Sequence, residues 1–296
     1  MSIKRTLVNL FKQTVKNLIY IALFPLGKMK RDILFLELAQ FMIPIKEIAL
    51  KGGRSMFFIC PAYDVLFRVD EFFIKEPETL RWIDTFRDED VFWDVGANIG
   101  VYSLYAAISK NMKVCAFEPS SPNYWVLNKN IELNRIDNRV SAYCIAISDG
   151  LQIGSFNMGD TNFGGAHSQF SEDQLKEFNY AGISQSRVVF NQAMVSFSID
   201  EFIKTFNPHF PNHIKIDIDG HEEGLIKGAL ATLDDQRLKS VLIELNENEE
   251  NAVKNIMEVF NNSGFILFAK EHAPQFDEGV SKSFFNYIFV REDLKQ

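Results

Sequence analysis

One of the predicted buried strands ends in charged residues that alternate with apolar ones. In residues 214–219 the isoleucines occupy one face, and Lys215, Asp217 and Asp219 share the other face at the strand's carboxyl end. Three charges are costly to bury unless they are paired, so simple packing does not explain the pattern. Glu244 ends the next predicted strand, which would lie alongside in a parallel sheet. The competing interpretation is a Lys215 ion-pair network that only fixes the strand end.

Two chemical uses fit these residue types. In the first, a carboxylate or the neighbouring His221 removes a proton from an attacking hydroxyl group. In the second, Asp217, Asp219 and Glu244, together with His221, hold a divalent cation such as Mg²⁺ that lowers the pKa of that hydroxyl. His221 stands at a predicted helix start, where a capping or surface role is the alternative.

A glycine-containing turn follows an earlier predicted strand, in the segment DVGANIG at residues 94–100. Gly96 and Gly100 allow the backbone to approach a ligand, and Asn98 can cap the following helix. The segment lacks the second glycine of the G-x-G-x-x-G fingerprint, and Asp94 would repel a pyrophosphate. The turn therefore favours a cationic ligand over a dinucleotide.

A second carboxylate, Glu118, ends the strand after this turn, where it can accept hydrogen bonds from ribose hydroxyls. S-adenosylmethionine carries an amino group, a sulfonium and a ribose, so Asp94 and Glu118 together favour it over NAD. The alternative is that Asp94 only caps the turn and Glu118 is solvated.

Strands and helices alternate from residue 91 onwards, which predicts an α/β fold with a mostly parallel sheet. The last two predicted strands, 265–268 and 284–290, have no helix between them and are expected to form an antiparallel hairpin at the sheet edge. Glycines in residues 149–195 predict an insertion or short hairpins. Within it, residues 164–167 (GGAH) could form a flexible lid.

The predicted domain organisation is an N-terminal extension, residues 1–75, followed by a catalytic domain, residues 76–296, that carries the 149–195 insertion. The extension is expected to hold a basic amphipathic helix, a second helix within residues 33–50, and two short strands at residues 56–60 and 64–69.

Several motifs occur in the order typical of the FkbM-type S-adenosylmethionine-dependent methyltransferases, which the chain resembles over roughly residues 75–290. The resemblance is carried by DVGANIG (94–100), AFEPSSPNYWVLNKNIELN (116–134), AISDG (146–150), SIDEF (198–202), IKIDIDGHEEGLIKGA (214–229) and VLIELNEN (241–248). It implies a Rossmann-like class I methyltransferase fold, with a mostly parallel seven-stranded sheet and an antiparallel last strand. It also implies methyl transfer to an oxygen, often a hydroxyl of a sugar or natural product.

The resemblance also assigns site residues. It implies that the cofactor is lined by Asp94, Gly96, Asn98, Gly100 and Glu118, and that Ser148 and Asp149 lie near the adenine. This chain has Asp-Ile-Asp-Gly at residues 217–220 where the family usually has D-x-E-G. The second carboxylate is therefore kept, but its side chain has a shorter reach.

Charge is distributed unevenly along the chain. The net charge of −8 argues against a general nucleic-acid binder, yet residues 1–31 hold seven Lys/Arg and no acid. Apolar residues between these charges predict an amphipathic helix that either packs on the catalytic domain or contacts a membrane surface. The apolar run 18–26 is shorter than the roughly 20 residues needed to span a bilayer. Three cysteines without a CxxC pair are typical of a cytoplasmic protein, here with a membrane-associated alternative.

The leading hypothesis is S-adenosylmethionine-dependent O-methylation of a hydroxyl on a small molecule or glycan, such as a sugar of a glycan or glycolipid. Asp217, His221, Glu244 and Lys215 are the candidate catalytic residues. One alternative is an NAD-dependent oxidoreductase or epimerase, although Tyr124 lies five residues before Lys129 and does not form the usual Tyr-x-x-x-Lys pair. The other alternative is a non-catalytic adenosyl-binding module, against which the acidic strand ends argue.

Overall fold

The structure is a computed structural model that describes residues 3–180, 184–218 and 220–294. The chain divides into two compact units, Met1–Pro44 and Ile45–Gln296. This division differs from the predicted boundary after residue 75. Residues 45–75 belong to the larger unit because Met56, Phe58 and Val65 are fully buried in its core.

The smaller unit is helical. It contains helix α1 (Ile3–Ala22), a short 3-10 turn (Phe24–Leu26) and helix α2 (Lys28–Phe41). The rings of Tyr20 and Phe35 lie 5.2 Å apart and join the two helices. Across the residues that the structure describes, no helix is both long and apolar enough to cross a membrane.

The larger unit is built from strands and helices that alternate along most of its length. Its strands are β1 (Ile45–Ala49), β2 (Ser55–Ile59), β3 (Val91–Val95), β4 (Lys113–Phe117), β5 (Val140–Tyr143), β6 (Ala146–Ile147), β7 (Gln152–Met158), β8 (Ser168–Ser171), β9 (Glu177–Tyr180), β10 (Ser184–Arg187), β11 (Phe190–Phe197), β12 (His213–Ile216), β13 (Ser240–Asn246), β14 (Phe265–Glu271) and β15 (Phe284–Arg291). Its helices are α3 (Tyr63–Asp70), α4 (Phe72–Lys75), α5 (Pro77–Asp84), α6 (Val101–Ser109), α7 (Ser121–Asn134), α8 (Ile199–Phe206), α9 (Glu222–Lys227), α10 (Leu230–Asp234) and α11 (Glu250–Asn262).

A seven-stranded sheet forms the centre of this unit, in the order β14-β15-β13-β12-β3-β4-β5. Strands β13, β12, β3, β4 and β5 pair in parallel, and β15 runs antiparallel to both of its neighbours. The predicted α/β fold with an antiparallel last strand and edge hairpin is thus confirmed. Chain order reverses between β3 and β12, and such a switch point leaves a crevice at the carboxyl ends of the strands, where ligands bind.

The segment predicted as an insertion or short hairpins forms strands. Strands β7, β8 and β11 join β6 in a four-stranded sheet of order β6-β11-β7-β8, and β9 pairs with β10. This second sheet places residues 164–171 beside the carboxyl ends of the central strands, where they line the cavities described below.

Two predictions for the region before residue 76 are wrong in detail. Residues 64–69 lie in helix α3 rather than in a strand, because Val65 and Val69, one turn apart, supply the buried face of a helix. The pattern at residues 33–50 divides into the end of α2 and strand β1. The hairpin of β1 and β2 packs on α7.

Asn130 of helix α7 attaches that hairpin to the central unit. Its side chain is fully buried, accepts a hydrogen bond from the Ile59 backbone N–H at 2.9 Å, and donates one to the Ile99 carbonyl at 2.9 Å. The replacement Asn130→Ala leaves both backbone groups without these partners. We expect it to lower the free energy of unfolding by about 2 to 4 kcal/mol in urea denaturation.

The matched control is Asn128→Ala on the exposed side of the same helix. We expect a change below about 0.5 kcal/mol for it. Equal losses in the two variants would contradict the role of Asn130.

Candidate functional site

The turn after β3 touches the end of β12. Gly96 has a φ of +86°, and a Cβ atom there would lie 1.8 Å from the carbonyl oxygen of Asp217. The backbone N–H groups of Gly96 and Ala97 both donate to the Phe117 carbonyl, at 2.9 and 3.0 Å. Only glycine therefore allows the predicted cofactor turn to meet the strand that carries the acidic cluster. Gly100 also has a positive φ, +84°, and packs against Leu127 at the start of α6.

Two adjoining cavities open at this switch point. The first has a volume of about 450 Å³ and the second about 240 Å³. Both are lined by Gly96, Pro119, Phe156, Ser168 and Ile218. A ligand with two chemically different halves can therefore extend from one cavity into the other past Gly96.

Glu118 and Asn98 form part of the first cavity, as the sequence predicts for cofactor residues. The Glu118 carboxylate accepts hydrogen bonds from the backbone N–H groups of Asn98 at 2.7 Å and Ser120 at 2.8 Å. Burial nevertheless raises the pKa of Glu118 to about 7. The Asn98 side-chain oxygen is buried without a hydrogen-bond partner, so it is available to a ligand donor.

Asp94 occupies a different position from the one expected of a direct cofactor ligand. It is 1% exposed, and the residues that line the two cavities do not include it. Its Oδ2 accepts a hydrogen bond from Ser103 at 2.6 Å, and its Oδ1 has no hydrogen-bond partner. Burial raises the pKa of Asp94 to about 6, although the Lys215 ammonium opposes this. Asp94 therefore lies behind the residues that line the cavities and is not itself part of the lining.

The second cavity has the character of a site for an aromatic base. Phe117, Ile145 and Ile147 give it apolar walls, and Asp149 supplies a carboxylate at its edge. Asp149, which is predicted to lie near the adenine, thus lines this cavity. Ser148 lies outside the lining of both cavities, and its hydroxyl donates to the Gly150 carbonyl.

The acidic cluster surrounds a buried ammonium group. Lys215 is 1% exposed; its Nζ lies 2.6 Å from Asp217 Oδ2 and 3.7 Å from Glu76 Oε2, and it is in register with Asp94 of β3. Burial alone would lower the pKa of Lys215, but Asp217, Glu76 and Asp94 hold it above its usual range. Lys215 is therefore a buried cation that is paired, and it does not line either cavity.

Asp217 and Glu244 both line the first cavity, so the structure brings these two predicted catalytic residues together. Burial and the nearby carboxylates of Asp217 and Glu76 raise the pKa of Glu244 well above its ordinary value. Opposite Glu244, in register on β15, Asn286 donates to Glu78 at 2.8 Å. The Asn286 side-chain oxygen is buried and has no hydrogen-bond partner. The cavity therefore holds a basic carboxylate beside an acceptor oxygen.

His221 lies apart from these carboxylates. It lines the second cavity, precedes α9 with a φ of +72°, and hydrogen-bonds the side-chain amide of Gln169. Asp219, the other predicted metal ligand, lies outside the described residues. Within residues 3–180, 184–218 and 220–294, no three His, Cys, Asp or Glu side chains are grouped to hold a metal ion. The Asp217 carboxylate is instead neutralised by the Lys215 ammonium.

The predicted lid segment, residues 164–167, lines the first cavity and is tied in place. The Gly165 carbonyl accepts hydrogen bonds from the side-chain amides of Asn98 and Asn123, each at 3.0 Å. The Gly164 N–H donates to Asn123 at 2.8 Å, and its carbonyl accepts from Arg68 at 2.8 Å. The segment thus joins the cofactor turn, α7 and α3.

Sequence reasoning missed several residues of the first cavity, among them Glu76, Glu78 and Asn286. Glu76 and Glu78 flank Pro77 at the start of α5, and both are buried, at 3% and 2% exposure. Burial raises the pKa of Glu76, whereas the ammonium groups of Lys215 and Lys75 lower it, and the result is a pKa of about 2. The sequence offered one signal for Glu76 as a site residue: a Glu-Pro pair, which also occurs at Glu118, a predicted cofactor residue.

A mostly parallel sheet with a two-part cavity at its switch point is the arrangement in which α/β proteins bind ligands at the carboxyl ends of their strands. The family model for the methyltransferase FkbM domain matches residues 94–267, more than half of the chain. The chain therefore belongs to the FkbM methyltransferase family and is an S-adenosylmethionine-dependent methyltransferase.

Individual relatives are more distant. The hexuronic acid methyltransferase AglP of Haloferax volcanii is 24% identical over 215 residues, which are 73% of this chain and 80% of that protein. The structure of the methyltransferase FkbM from Methylobacillus flagellatus KT gives a TM-score of 0.48 at 15% identity. The match covers 77% of this chain and 52% of that one, so this chain spans about half its length. TYW2 of P. horikoshii gives a TM-score of 0.41 at 13% identity, covering 83% of this chain and 69% of that one.

The contact at Gly96 predicts the effect of a single methyl group. In Gly96→Ala the new Cβ collides with the Asp217 carbonyl, so the turn must move and both cavities change shape. We expect binding of S-adenosylhomocysteine, measured by calorimetric titration, to weaken at least about tenfold, which corresponds to 1.4 kcal/mol.

The control is Gly52→Ala, where φ is +79° but no atom lies within 4 Å of the new Cβ. It carries the same backbone strain without the collision, so it should bind the nucleoside as the wild type does. Unchanged binding in Gly96→Ala would contradict the proposed contact.

The raised pKa of Glu118 predicts a pH-dependent loss of stability. Between its ordinary pKa of 4.5 and about 7, the folded state keeps a proton that the unfolded state has released. Stability from this group is therefore fully present below pH 4.5 and is lost as the pH rises through 7. Relative to Glu118→Gln, the ligand-free wild type should lose up to about 3 kcal/mol in unfolding free energy between pH 4.5 and 8.

The exposed carboxylate of Glu132, on helix α7, provides the control. Glu132→Gln reports how the loss of an exposed carboxylate alone changes stability over the same pH range. If the Glu118→Gln difference followed the same profile in urea denaturation, burial would not control the protonation of Glu118.

Proposed function

We propose that this methyltransferase transfers the methyl group of S-adenosylmethionine to a hydroxyl of a sugar, in a glycan or glycolipid. The observation that carries the proposal is the pairing of Glu244 and Asn286 in the first cavity, next to the turn at Gly96. A basic carboxylate and a buried, unpartnered amide oxygen suit a hydroxyl group that must be oriented and then deprotonated.

The cavities fit the cofactor on observations independent of the acceptor. Glu118 would accept hydrogen bonds from ribose hydroxyls, and the Asn98 side-chain oxygen, buried without a partner, would accept one from an N–H or O–H donor. Phe117, Ile145 and Ile147 would enclose the adenine, with Asp149 at its edge. When bound, S-adenosylmethionine supplies an electrophilic methyl group on a sulfonium.

Three residues divide the work at the acceptor. Glu244, with its pKa raised by burial and neighbouring carboxylates, takes the proton from the hydroxyl. Asp217, held by Lys215, orients the acceptor, and Lys215 acts through Asp217 as a positioning residue. His221 lies in the second cavity beside Gln169, so the base role passes to Glu244.

A sugar is the acceptor that best suits the first cavity. Its walls present several carboxylate and amide groups, which match the many hydroxyls of a carbohydrate. Arg68 and Lys75 are basic, but seven carboxyl groups share the same lining, so its charge does not by itself favour an acidic sugar over a neutral one. The similar protein from Haloferax volcanii is named as a hexuronic acid methyltransferase, which supports a sugar as the acceptor and makes uronic acids the first to test.

The test is transfer of labelled methyl from S-adenosylmethionine to uronic acids, neutral hexoses and glycans that contain them. We expect Glu244→Gln to bind S-adenosylhomocysteine as the wild type does and to lower kcat about 10²- to 10⁴-fold, because it removes a general base. Lys215 pairs with Asp217 rather than with Glu244, so the fold of this variant should survive.

Glu258→Gln, an exposed carboxylate on α11, serves as the control and should leave kcat unchanged. Wild-type kcat in Glu244→Gln would remove Glu244 from the mechanism. Binding of S-adenosylhomocysteine without methyl transfer to any carbohydrate tested would overturn the sugar assignment.

A further inference from the structure

Helix α1 leaves a broad apolar face uncovered. The name N-terminal apolar face is used here for five side chains of this helix. They are Leu7, Leu10, Phe11, Leu18 and Ile21, which are 60%, 64%, 69%, 60% and 69% exposed. Their spacing of three, four and seven residues places them on one side of the helix. An exposed apolar stripe of this length is unusual in a protein that has no partner for it, and it marks an interaction surface.

The exposed apolar surface continues beyond α1. Phe24 in the following turn and Met29, Leu36 and Phe41 of α2 are 72%, 77%, 61% and 88% exposed. Within the smaller unit, the contact of Tyr20 with Phe35 and Arg31 joins α1 to α2 without covering these side chains. Among residues 7–44, whose burial the structure describes, no side chain is fully buried, so these residues form no apolar core that could cover the exposed ones.

The charge distribution of residues 1–31 indicates which kind of surface the N-terminal apolar face would contact. Lys12 and Lys16, one turn apart, lie on the polar side of α1 with Asn9 and Gln13. Residues 1–31 carry seven basic and no acidic side chains, whereas the rest of the chain carries 24 basic and 39 acidic residues. A second copy of the same positively charged helix would be repelled, so self-association through this face is disfavoured. A basic polar side opposite an apolar face suits an anionic lipid surface.

We propose that α1 lies in the plane of an anionic lipid bilayer, with the N-terminal apolar face inserted below the headgroups and the basic side chains on the lipid phosphates. Its 20 residues would extend about 30 Å along the surface. Among the described helices none can span a bilayer, so this contact is one-sided. The proposal does not depend on the identity of the methyl acceptor.

The experiment is co-sedimentation of the full chain with vesicles of neutral phosphatidylcholine, with and without anionic phosphatidylglycerol. We expect binding to the anionic vesicles, weak binding to the neutral ones, and release by high salt because exposed charges are screened. The double variant Lys12→Gln/Lys16→Gln should bind anionic vesicles about 30-fold more weakly. The variant Leu10→Ser/Phe11→Ser should lose binding to both vesicle types.

The matched control is Asn9→Ser/Gln13→Ser on the polar side of the same helix, which should bind as the wild type does. All variants should retain binding of S-adenosylhomocysteine, which shows that the larger unit is folded. No binding to anionic vesicles, or equal binding to neutral and anionic ones, would overturn the proposal. Concentration-dependent self-association that only the Leu10→Ser/Phe11→Ser variant abolishes, without vesicle binding, would assign the face to a second copy instead.

Discussion

The burial of the Lys215 ammonium is the constraint on which the site depends. A charge that is 1% exposed costs several kcal/mol unless opposite charges surround it. Asp217 follows the same strand, Asp94 comes from β3, and Glu76 comes from the start of α5. Two neighbouring strands and a helix start must therefore meet at one point, and that point is the switch between β3 and β12.

One ammonium shared among several carboxylates also gives them different proton affinities. Glu76, beside both Lys215 and Lys75, has a pKa of about 2, whereas Asp94, which is equally buried and has Lys215 but not Lys75 as a compensating charge, has a pKa of about 6. Glu244 has the carboxylates of Asp217 and Glu76 as neighbours, and these add to the effect of burial and raise its pKa well above the ordinary value, although the two lysines oppose this. Asp217 and Glu76 line the same cavity but already pair with the Lys215 ammonium, so Glu244 is the better suited of the three to accept a proton.

Sequence patterns predict those parts of this arrangement that lie within a single strand or a single turn. The alternation at residues 214–219 predicted the charged residues at the end of β12, of which Asp219 lies outside the described residues, and the turn at residues 94–100 predicted the approach at Gly96. Glu76 and Asn286 were not predicted, because the start of α5 and the pairing of β13 with β15 bring them in from distant parts of the chain. Residues 64–69 were predicted as a strand because a six-residue pattern with two valines fits either period. The burial of Val65 and Val69 against the rest of the protein favours the helix, because both lie on its buried face.

The geometry at Gly96 would connect the proposed cofactor site to the proposed acceptor site through backbone rather than through side chains. A Cβ atom at this position would lie 1.8 Å from the Asp217 carbonyl, so the cofactor turn and the end of β12 are in direct contact. Asp217 and Glu244 project into the cavity from adjacent parallel strands, whose spacing is fixed by backbone hydrogen bonds. Methyl transfer requires the donor carbon and the acceptor oxygen to be aligned, and much of its rate arises from that alignment. A site whose two halves share a rigid sheet edge can supply such alignment even when the carboxylates themselves change protonation state.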